Sequence, residues 1–164
     1  MRSYKDLNLD YQGGNLILAF RNITSLDGCP IHIDGAFSCM SSGVTSLVGG
    51  PQTVDGDYFC ENTDISDLMG CANYIGTGLV FNRTQITSLV GIHKIIKKCP
   101  IISFDAKKIT EGGIGLLLID HLTDISDDSK PFKIIKKYLG SGTKGMMDCS
   151  KELTAKGYAP YAKL

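Results

Sequence analysis

The sequence predicts an α/β, β-rich solenoid in which a parallel sheet of short strands is closed by a C-terminal helical cap. Three observations carry this prediction. A six-residue segment recurs every 21 residues, apolar residues recur in fixed columns of that repeat, and the last third of the chain has helical periodicity. A period in this range indicates a solenoid, because each unit can bury its apolar side only against its neighbours.

The repeat is uninterrupted through the first two-thirds of the chain. Its copies are residues 23–28 (ITSLDG), 44–49 (VTSLVG), 65–70 (ISDLMG) and 86–91 (ITSLVG). We expect residues 1–104 to form the repeat solenoid, with four to five rungs of which the first and last are degenerate. Residues 105–164 are expected to form the helical cap of one continuous domain.

Each unit contains one short strand, because apolar and variable positions alternate there with period two. The predicted inward pairs are Phe37/Cys39, Tyr58/Cys60 and Leu79/Phe81, with residues 16–18 as a preceding rung and residues 101–104 as the last strand. A column of hydroxyl residues follows the strands and is expected to satisfy backbone groups at the bend, namely Ser42, Thr63 and Thr84. The back of each rung should be extended or a single 3₁₀ turn, since 21 residues leave no room for a full helix.

The last third of the sequence predicts the helical cap. Residues 131–139 have apolar residues at helical spacing, begin with Pro131 and end before Gly140. A second helix is predicted over residues 144–156, and its expected buried residues are Met146, Met147, Cys149 and Leu153. The apolar block 116–119 fits either a helix or a strand. Such a cap would cover a sheet edge that otherwise invites aggregation.

The composite pattern of the units, G-x-F-x-C-x-x-T-x-I-T-S-L-x-G-x-P, resembles the short leucine-rich repeats of bacterial effectors. It is more similar to leucine-rich-repeat-like arrays found in tailed-phage genomes, over about residues 14–104. Two features depart from the family pattern: the incoming turn is one residue longer, and Ser or Thr stands where the family has Asn. The resemblance implies a phage-encoded accessory protein that acts on a host or phage macromolecule, with inhibition of host antiviral defence as one role.

Composition excludes several classes of protein. No stretch approaches 18 uninterrupted apolar residues, so no membrane partner is expected. The N-terminus lacks the apolar run of a signal peptide, which favours a cytoplasmic location, the host cytoplasm for a phage-encoded protein. Four of the six cysteines fall in repeat columns, Cys39 with Cys60 and Cys29 with Cys71, and the cysteines are expected to be free buried thiols.

Sequence patterns for catalysis or cofactor binding are weak. The three histidines His32, His93 and His121 have no metal-ligand spacing, and the acidic residues near Asp124 lack the Gly and Glu of a calcium loop. We therefore predict no catalytic residues, no metal and no cofactor, and expect that the chain is not an enzyme.

The outward strand positions vary between units and form the predicted partner-binding face. Phe59 supplies an aromatic anchor among polar residues, an arrangement typical of interaction hot spots. The predicted site residues are Asp57, Phe59, Glu61, Asn62, Asn82 and Arg83. The expected partner is a protein. An alternative is that the N-terminal segment or a second copy in a homo-oligomer covers Phe59.

Charge is split along the chain, although the net formal charge is +0. Residues 1–93 carry 4 Lys or Arg against 9 Asp or Glu, whereas residues 94–164 carry 13 against 8. One interpretation is two solvated ends; the other is a basic, anion-binding end formed by Lys94, Lys97, Lys98, Lys107 and Lys108. The second supports an alternative function, an oligomer that sequesters a small nucleotide signal. A third alternative is a virion or assembly component.

Overall fold

The chain winds into a solenoid whose rungs have three sides. A computed structural model describes residues 2–164, so Met1 of the predicted solenoid lies outside the described residues. The strands are β1 (Leu16–Ile17), β2 (His32–Ile33), β3 (Phe37–Ser38), β4 (Thr53–Val54), β5 (Tyr58–Phe59), β6 (Tyr74–Ile75), β7 (Gly78–Val80), β8 (Ser88–Leu89), β9 (Ile101–Ser103), β10 (Glu111–Gly112) and β11 (Asp124–Ile125). The α-helices are α1 (Ile92–Ile95), α2 (Lys130–Lys136) and α3 (Gly142–Ala155), and 3₁₀-helices cover Tyr4–Leu7, Ile114–Leu118 and Ala159–Ala162.

The first side of the rungs is a six-stranded parallel sheet in the order β1-β3-β5-β7-β9-β11. Phe37 pairs with Tyr58 and Tyr58 with Leu79, so paired residues are one repeat period apart. These residues point inward and are buried, because alternate strand residues face opposite sides of a sheet. The predicted parallel sheet of short strands is confirmed.

The sheet continues beyond residue 104. Strand β11 pairs in parallel with β9, with Ile125 opposite Ile102, so the expectation that residues 101–104 form the last strand is wrong. The step from Leu79 to Ile102, and again from Ile102 to Ile125, is longer than the repeat period. This change breaks the sequence period while the backbone pairing is retained.

Short extended segments form the other two sides. Strands β2, β4 and β6 make a three-stranded parallel sheet, and single bridges extend it through Lys98 to Asp120. Strand β8 pairs with β10 on the third side, and Ser3 bridges Ser25 there. The back of the rungs that contain β2, β4 and β6 is therefore extended, as predicted. The equivalent segments of the next two rungs hold α1 and the 3₁₀-helix Ile114–Leu118, so the α-helical turn of α1 departs from the expectation of an extended back or a 3₁₀ turn.

The core consists of stacked columns of buried side chains. Three of these columns are Ile23/Val44/Ile65/Ile86, Leu26/Leu47/Leu68/Leu89 and Ile33/Val54/Ile75/Cys99. Each rung thus buries its apolar residues against the rungs on either side, which supplies the main favourable term in folding. The cysteines are free, and all except the half-buried Cys29 lie in this core or in the cap.

The bends after the strands are held by the predicted hydroxyl column. Ser42 Oγ donates to the carbonyl of Cys39 at 2.6 Å, and Thr63 Oγ1 donates to the carbonyl of Cys60 at 2.6 Å. Thr84 Oγ1 repeats the contact with the carbonyl of Phe81 at 3.0 Å. These bonds confirm that the hydroxyls satisfy buried backbone acceptors.

The C-terminal cap contains the two predicted helices, α2 and α3, while the block 116–119 lies mostly in a 3₁₀-helix. Cys149 and Leu153 are buried on α3, and Met146 is half-buried. Met147 is 58% exposed, so its predicted burial is wrong. One residue advances a helix by about 100°, which carries Met147 off the face shared by Met146, Cys149 and Leu153.

A chain of aromatic rings joins the cap to the sheet. Phe81 stacks on Phe104 with ring centroids 5.3 Å apart, and Phe104 meets Phe132 of α2 edge to face at 4.9 Å. Phe132 in turn contacts Tyr161, whose hydroxyl donates to the carbonyl of Ile109 at 2.9 Å. Within residues 2–164, no helix has the length and apolar character needed to cross a membrane.

Candidate functional site

A cavity of about 270 Å³ lies where the strands of the six-stranded sheet end. We call it the strand-end cavity; its lining residues are Met40, Ser41, Glu61, Asn62, Asn82 and Arg83. They come in pairs from three successive rungs, and each pair begins two residues after the end of β3, β5 or β7. The constant period of the repeat therefore places equivalent positions of neighbouring rungs side by side.

A left-handed backbone column orients one wall of this cavity. Its members and their φ angles are Phe20 at 59°, Ser41 at 52°, Asn62 at 53° and Arg83 at 56°. Apart from Asn, these residue types rarely adopt positive φ. The amide of Ser41 donates to the carbonyl of Glu61 at 3.1 Å, and that of Asn62 to the carbonyl of Asn82 at 2.9 Å. Hydrogen bonds between rungs thus hold the column in place.

Each of the two asparagine side chains in the cavity uses only one of its two polar groups in a hydrogen bond within the protein. Asn62 Nδ2 donates to Ser41 Oγ at 2.9 Å, and Ser103 Oγ donates to Asn82 Oδ1 at 3.4 Å. An amide side chain carries both donors and acceptors. Asn62 therefore retains its carbonyl oxygen for a partner, and Asn82 retains its NH₂ group.

Two opposite charges border the cavity without neutralising each other. Among residues 2–164, the Glu61 carboxylate and the Arg83 guanidinium form no ion pair or side-chain hydrogen bond. The backbone N–H of Arg83 donates to Asp105 Oδ2 at 3.3 Å, since the next rung is offset and supplies a carboxylate instead of a carbonyl. Both charged side chains are free to bind a partner of complementary charge.

The other two predicted site residues lie on the sheet face outside the cavity. Phe59 is half-buried and faces outward between Ser38 and Val80, its partners in the register. Asp57 precedes β5, at the opposite end of the strand from Glu61. The structure therefore brings together Glu61, Asn62, Asn82 and Arg83, and places Phe59 and Asp57 along the adjoining face.

Met40 and Ser41 were not among the predicted site residues. Their signal was present in the repeat, because they stand one period before Glu61 and Asn62. Ser38, on the same strand, is only 3% exposed although it faces outward between Ile17 and Phe59. The large side chains of the neighbouring strands therefore cover part of the outer face of the six-stranded sheet beside the cavity.

The predicted basic end is divided between different sides of the solenoid. Lys94 lies on α1 and the Lys97 ammonium donates to the carbonyl of His93 at 3.1 Å, while Lys98 lines a cavity of about 180 Å³ on the three-stranded sheet. Lys107 and Lys108 follow β9, and the Lys108 ammonium donates to the carbonyl of Thr84 at 2.7 Å. These lysines line no common cavity among those described within residues 2–164.

The cysteine thiols are poor nucleophiles in the folded state. Burial raises the pKa of Cys29 and of Cys39 to about 12, and the pKa of Cys149 to about 11. A thiol of such pKa holds almost no thiolate near neutral pH. Within residues 2–164, no group of three or more His, Cys, Asp or Glu side chains is placed to hold a metal ion.

No family model, curated protein or solved structure matches this chain. The repeat solenoid is what the structure shows. The resemblance to leucine-rich-repeat-like arrays of phages stays a prediction.

Proposed function

We propose that the protein is a non-catalytic binding module that engages another protein through the strand-end cavity and the adjoining face with Phe59 and Asp57. The observation that carries this proposal is the pair of charges without ion pairs, Glu61 and Arg83, at one cavity. The same cavity is lined by Asn62 and Asn82, each of which has one side-chain polar group without a hydrogen bond. A partner residue that pairs with either charge gains a charge-assisted hydrogen bond without breaking one inside this protein.

Rigidity supports the same proposal. The cavity walls come from three rungs whose backbones are hydrogen-bonded to one another, so little conformational entropy is lost when a partner binds. Half-buried Phe59 offers an aromatic contact next to the polar groups, as in many interaction hot spots. Binding would act by steric coverage of the partner's working surface and needs no bond-making chemistry.

The resemblance to phage-borne arrays supports a narrower version of the proposal. In that version the protein is a phage-encoded accessory protein in the host cytoplasm, and its partner is a host or phage macromolecule. Inhibition of a host antiviral defence is one role that such binding would serve. That the chain is not an enzyme stays a prediction.

The test is an affinity capture from bacterial lysate that compares wild type with Glu61→Gln/Arg83→Gln. Both substitutions keep the side-chain size and remove the free charges. The matched control is Asp67→Asn/Lys94→Gln, which also removes one charge of each sign from positions outside the cavity. We expect a specific protein to bind wild type and control, and its affinity for the cavity variant to fall about tenfold or more.

Two results would contradict the proposal. One is equal capture of the same partner by wild type and the cavity variant, and the other is loss of the partner from the control to the same extent. The nucleotide-sequestering alternative depends on five lysines that the structure places on different sides of the solenoid. No observation therefore favours nucleotide binding by those five lysines together. Incorporation of the protein into phage particles would support the structural alternative.

A further inference from the structure

A second cavity, separate from the strand-end cavity, lies in the C-terminal cap. It has a volume of about 370 Å³ and opens between α2 and the segment that follows α3. We call it the cap groove; its lining residues are Lys130, Lys133, Ile134, Lys137, Lys156 and Tyr158. None of the four lysines belongs to the basic end predicted from the sequence.

Helical spacing explains why three of the lysines share one wall. Lys130, Lys133 and Lys137 are three and then four residues apart, which places them on one stripe of α2 and of the turn that extends it. Their backbone positions are separated by about 5 Å along the helix axis. Lys156 directly follows α3 and lies on the opposite wall.

Charge in the groove is not balanced within the protein. Glu152 is the carboxylate that pairs with this group, accepting hydrogen bonds from Lys137 and from Lys156 at 2.8 Å each. Lys130 and Lys133 form no ion pair within residues 2–164. Four ammonium groups therefore face one carboxylate, and like charges three or four residues apart on a helix repel each other.

The neighbouring Lys136 shows the contrast. It does not line the groove, and its Nζ lies 3.4 Å from Asp124 Oδ1 and 3.5 Å from Asp128 Oδ1. The acidic residues of this region thus neutralise a lysine outside the groove. Two lysines without an ion pair, Lys130 and Lys133, line the groove, where an anion would relieve the repulsion.

The floor of the groove is apolar. Ile134 is buried at its base, and the half-buried ring of Tyr158 forms part of one wall. The aliphatic stems of the lysines add further apolar surface beneath their charged ends. A ligand that fits has several negative groups along one side and a flat, weakly polar part on the other.

We propose that the cap groove binds a nucleotide, with its phosphates on Lys130, Lys133 and Lys137 and its base against Ile134 and Tyr158. Phosphate oxygens accept strong charge-assisted hydrogen bonds from ammonium groups, and a base packs favourably on an aromatic side chain. A volume of about 370 Å³ lies within the usual range of small-ligand pockets. The same chemistry is present in a free nucleoside polyphosphate and in the nucleotides of a single strand.

The first experiment measures ATP binding to the full chain by isothermal titration calorimetry at low ionic strength. Lys130→Gln/Lys133→Gln removes the two lysines without ion pairs, so it breaks no contact that holds the cap together. We expect its affinity for ATP to be at least about tenfold lower than that of wild type. The control Lys94→Gln/Lys107→Gln changes net charge equally and should keep the wild-type affinity.

Binding measurements with two further ligands identify the source of the nucleotide. Pyrophosphate should bind more weakly than ATP, because it cannot contact Ile134 and Tyr158. A short oligothymidylate that binds more tightly than ATP identifies a nucleic-acid strand as the source, and the reverse order identifies a free nucleotide. The proposal is overturned if ATP and the oligothymidylate both fail to bind, if pyrophosphate binds as tightly as ATP, or if the control loses affinity equally.

Discussion

At the scale of single residues, the hydroxyl of Tyr58 stands out in the core. The side chain is completely buried, and its Oη has no hydrogen-bond partner among residues 2–164. Burial of a hydroxyl without a partner is unfavourable, because the water it loses is not replaced. Burial also raises the pKa of Tyr58 well above its usual value, so the phenol stays neutral.

Removal of this hydroxyl should stabilise the protein. We expect Tyr58→Phe to raise the free energy of unfolding by about 1 kcal/mol, measured by urea denaturation. The matched control is Tyr161→Phe, which removes a hydroxyl that donates to Ile109 and should lower the free energy of unfolding by about 1 kcal/mol. A loss of stability in Tyr58→Phe comparable to that of the control would show that the Tyr58 hydroxyl has a partner in solution.

Residue identity alone predicted only part of the candidate site. The positions of Glu61 and Arg83, just after strands and facing outward, predict a role at the site, and the structure places both at the cavity. The left-handed conformation of Arg83 and Phe20 was not predictable, since neither residue type prefers positive φ. Hydrogen bonding between rungs imposes that conformation, and no local sequence signal records it.

At the scale of secondary structure elements, Glu152 ties α2 to α3. Its carboxylate accepts hydrogen bonds from Lys137, Lys156 and Tyr138, each at 2.8 Å. These hydrogen bonds lower the pKa of Glu152 to about 2, and the bond from Lys137 contributes the most. A carboxylate whose pKa is lower in the folded state contributes stability above its unfolded pKa and loses it as pH falls through the folded value.

The stability of the cap should therefore depend on Glu152 between about pH 4.5 and about pH 2. We expect Glu152→Gln to be less stable than wild type at neutral pH and the difference to shrink across that interval as the wild-type carboxylate is protonated. Thermal unfolding followed by circular dichroism at several pH values measures this difference. A difference that stays constant down to pH 2 would contradict the role of the ionised carboxylate.

Prediction of elements succeeded where the period was constant. Strands β3, β5 and β7 follow from columns that recur at the repeat period. Strand β11 was missed because the step to it from β9 is longer than that period. The cap groove was missed for another reason: its two walls are far apart in sequence, and only the packing of α2 against α3 brings them together.

At the scale of the whole molecule, the array and the cap share one continuous core. The rings of Phe81, Phe104, Phe132 and Tyr161 run from the sheet into the cap with neighbouring centroids 4.9–5.7 Å apart. A solenoid is stabilised mainly by contacts between adjacent units. Because the cap closes the last rungs through these contacts, we expect the array and the cap to unfold together.

The buried thiols report on this cooperativity. Cys39 lies in the array and Cys149 in α3, and both are buried. We expect a thiol-specific reagent to modify both at the same slow rate in the native protein, and all six cysteines rapidly in denaturant. Mass spectrometry of modified peptides over time measures the two rates. Modification of Cys149 well ahead of Cys39 would show that the cap opens independently.

The left-handed column that lines the strand-end cavity has a consequence for how the protein could change over generations. Its members sit at one position of successive rungs, which stack about 4.8 Å apart. Duplication of one whole rung between Asn62 and Arg83 would leave both ends of the array unaltered and increase the separation of Glu61 and Arg83 by that single increment. The gain or loss of whole repeat units would therefore change the distance between the Glu61 and Arg83 side chains in uniform steps, without any change in the structure of a single rung.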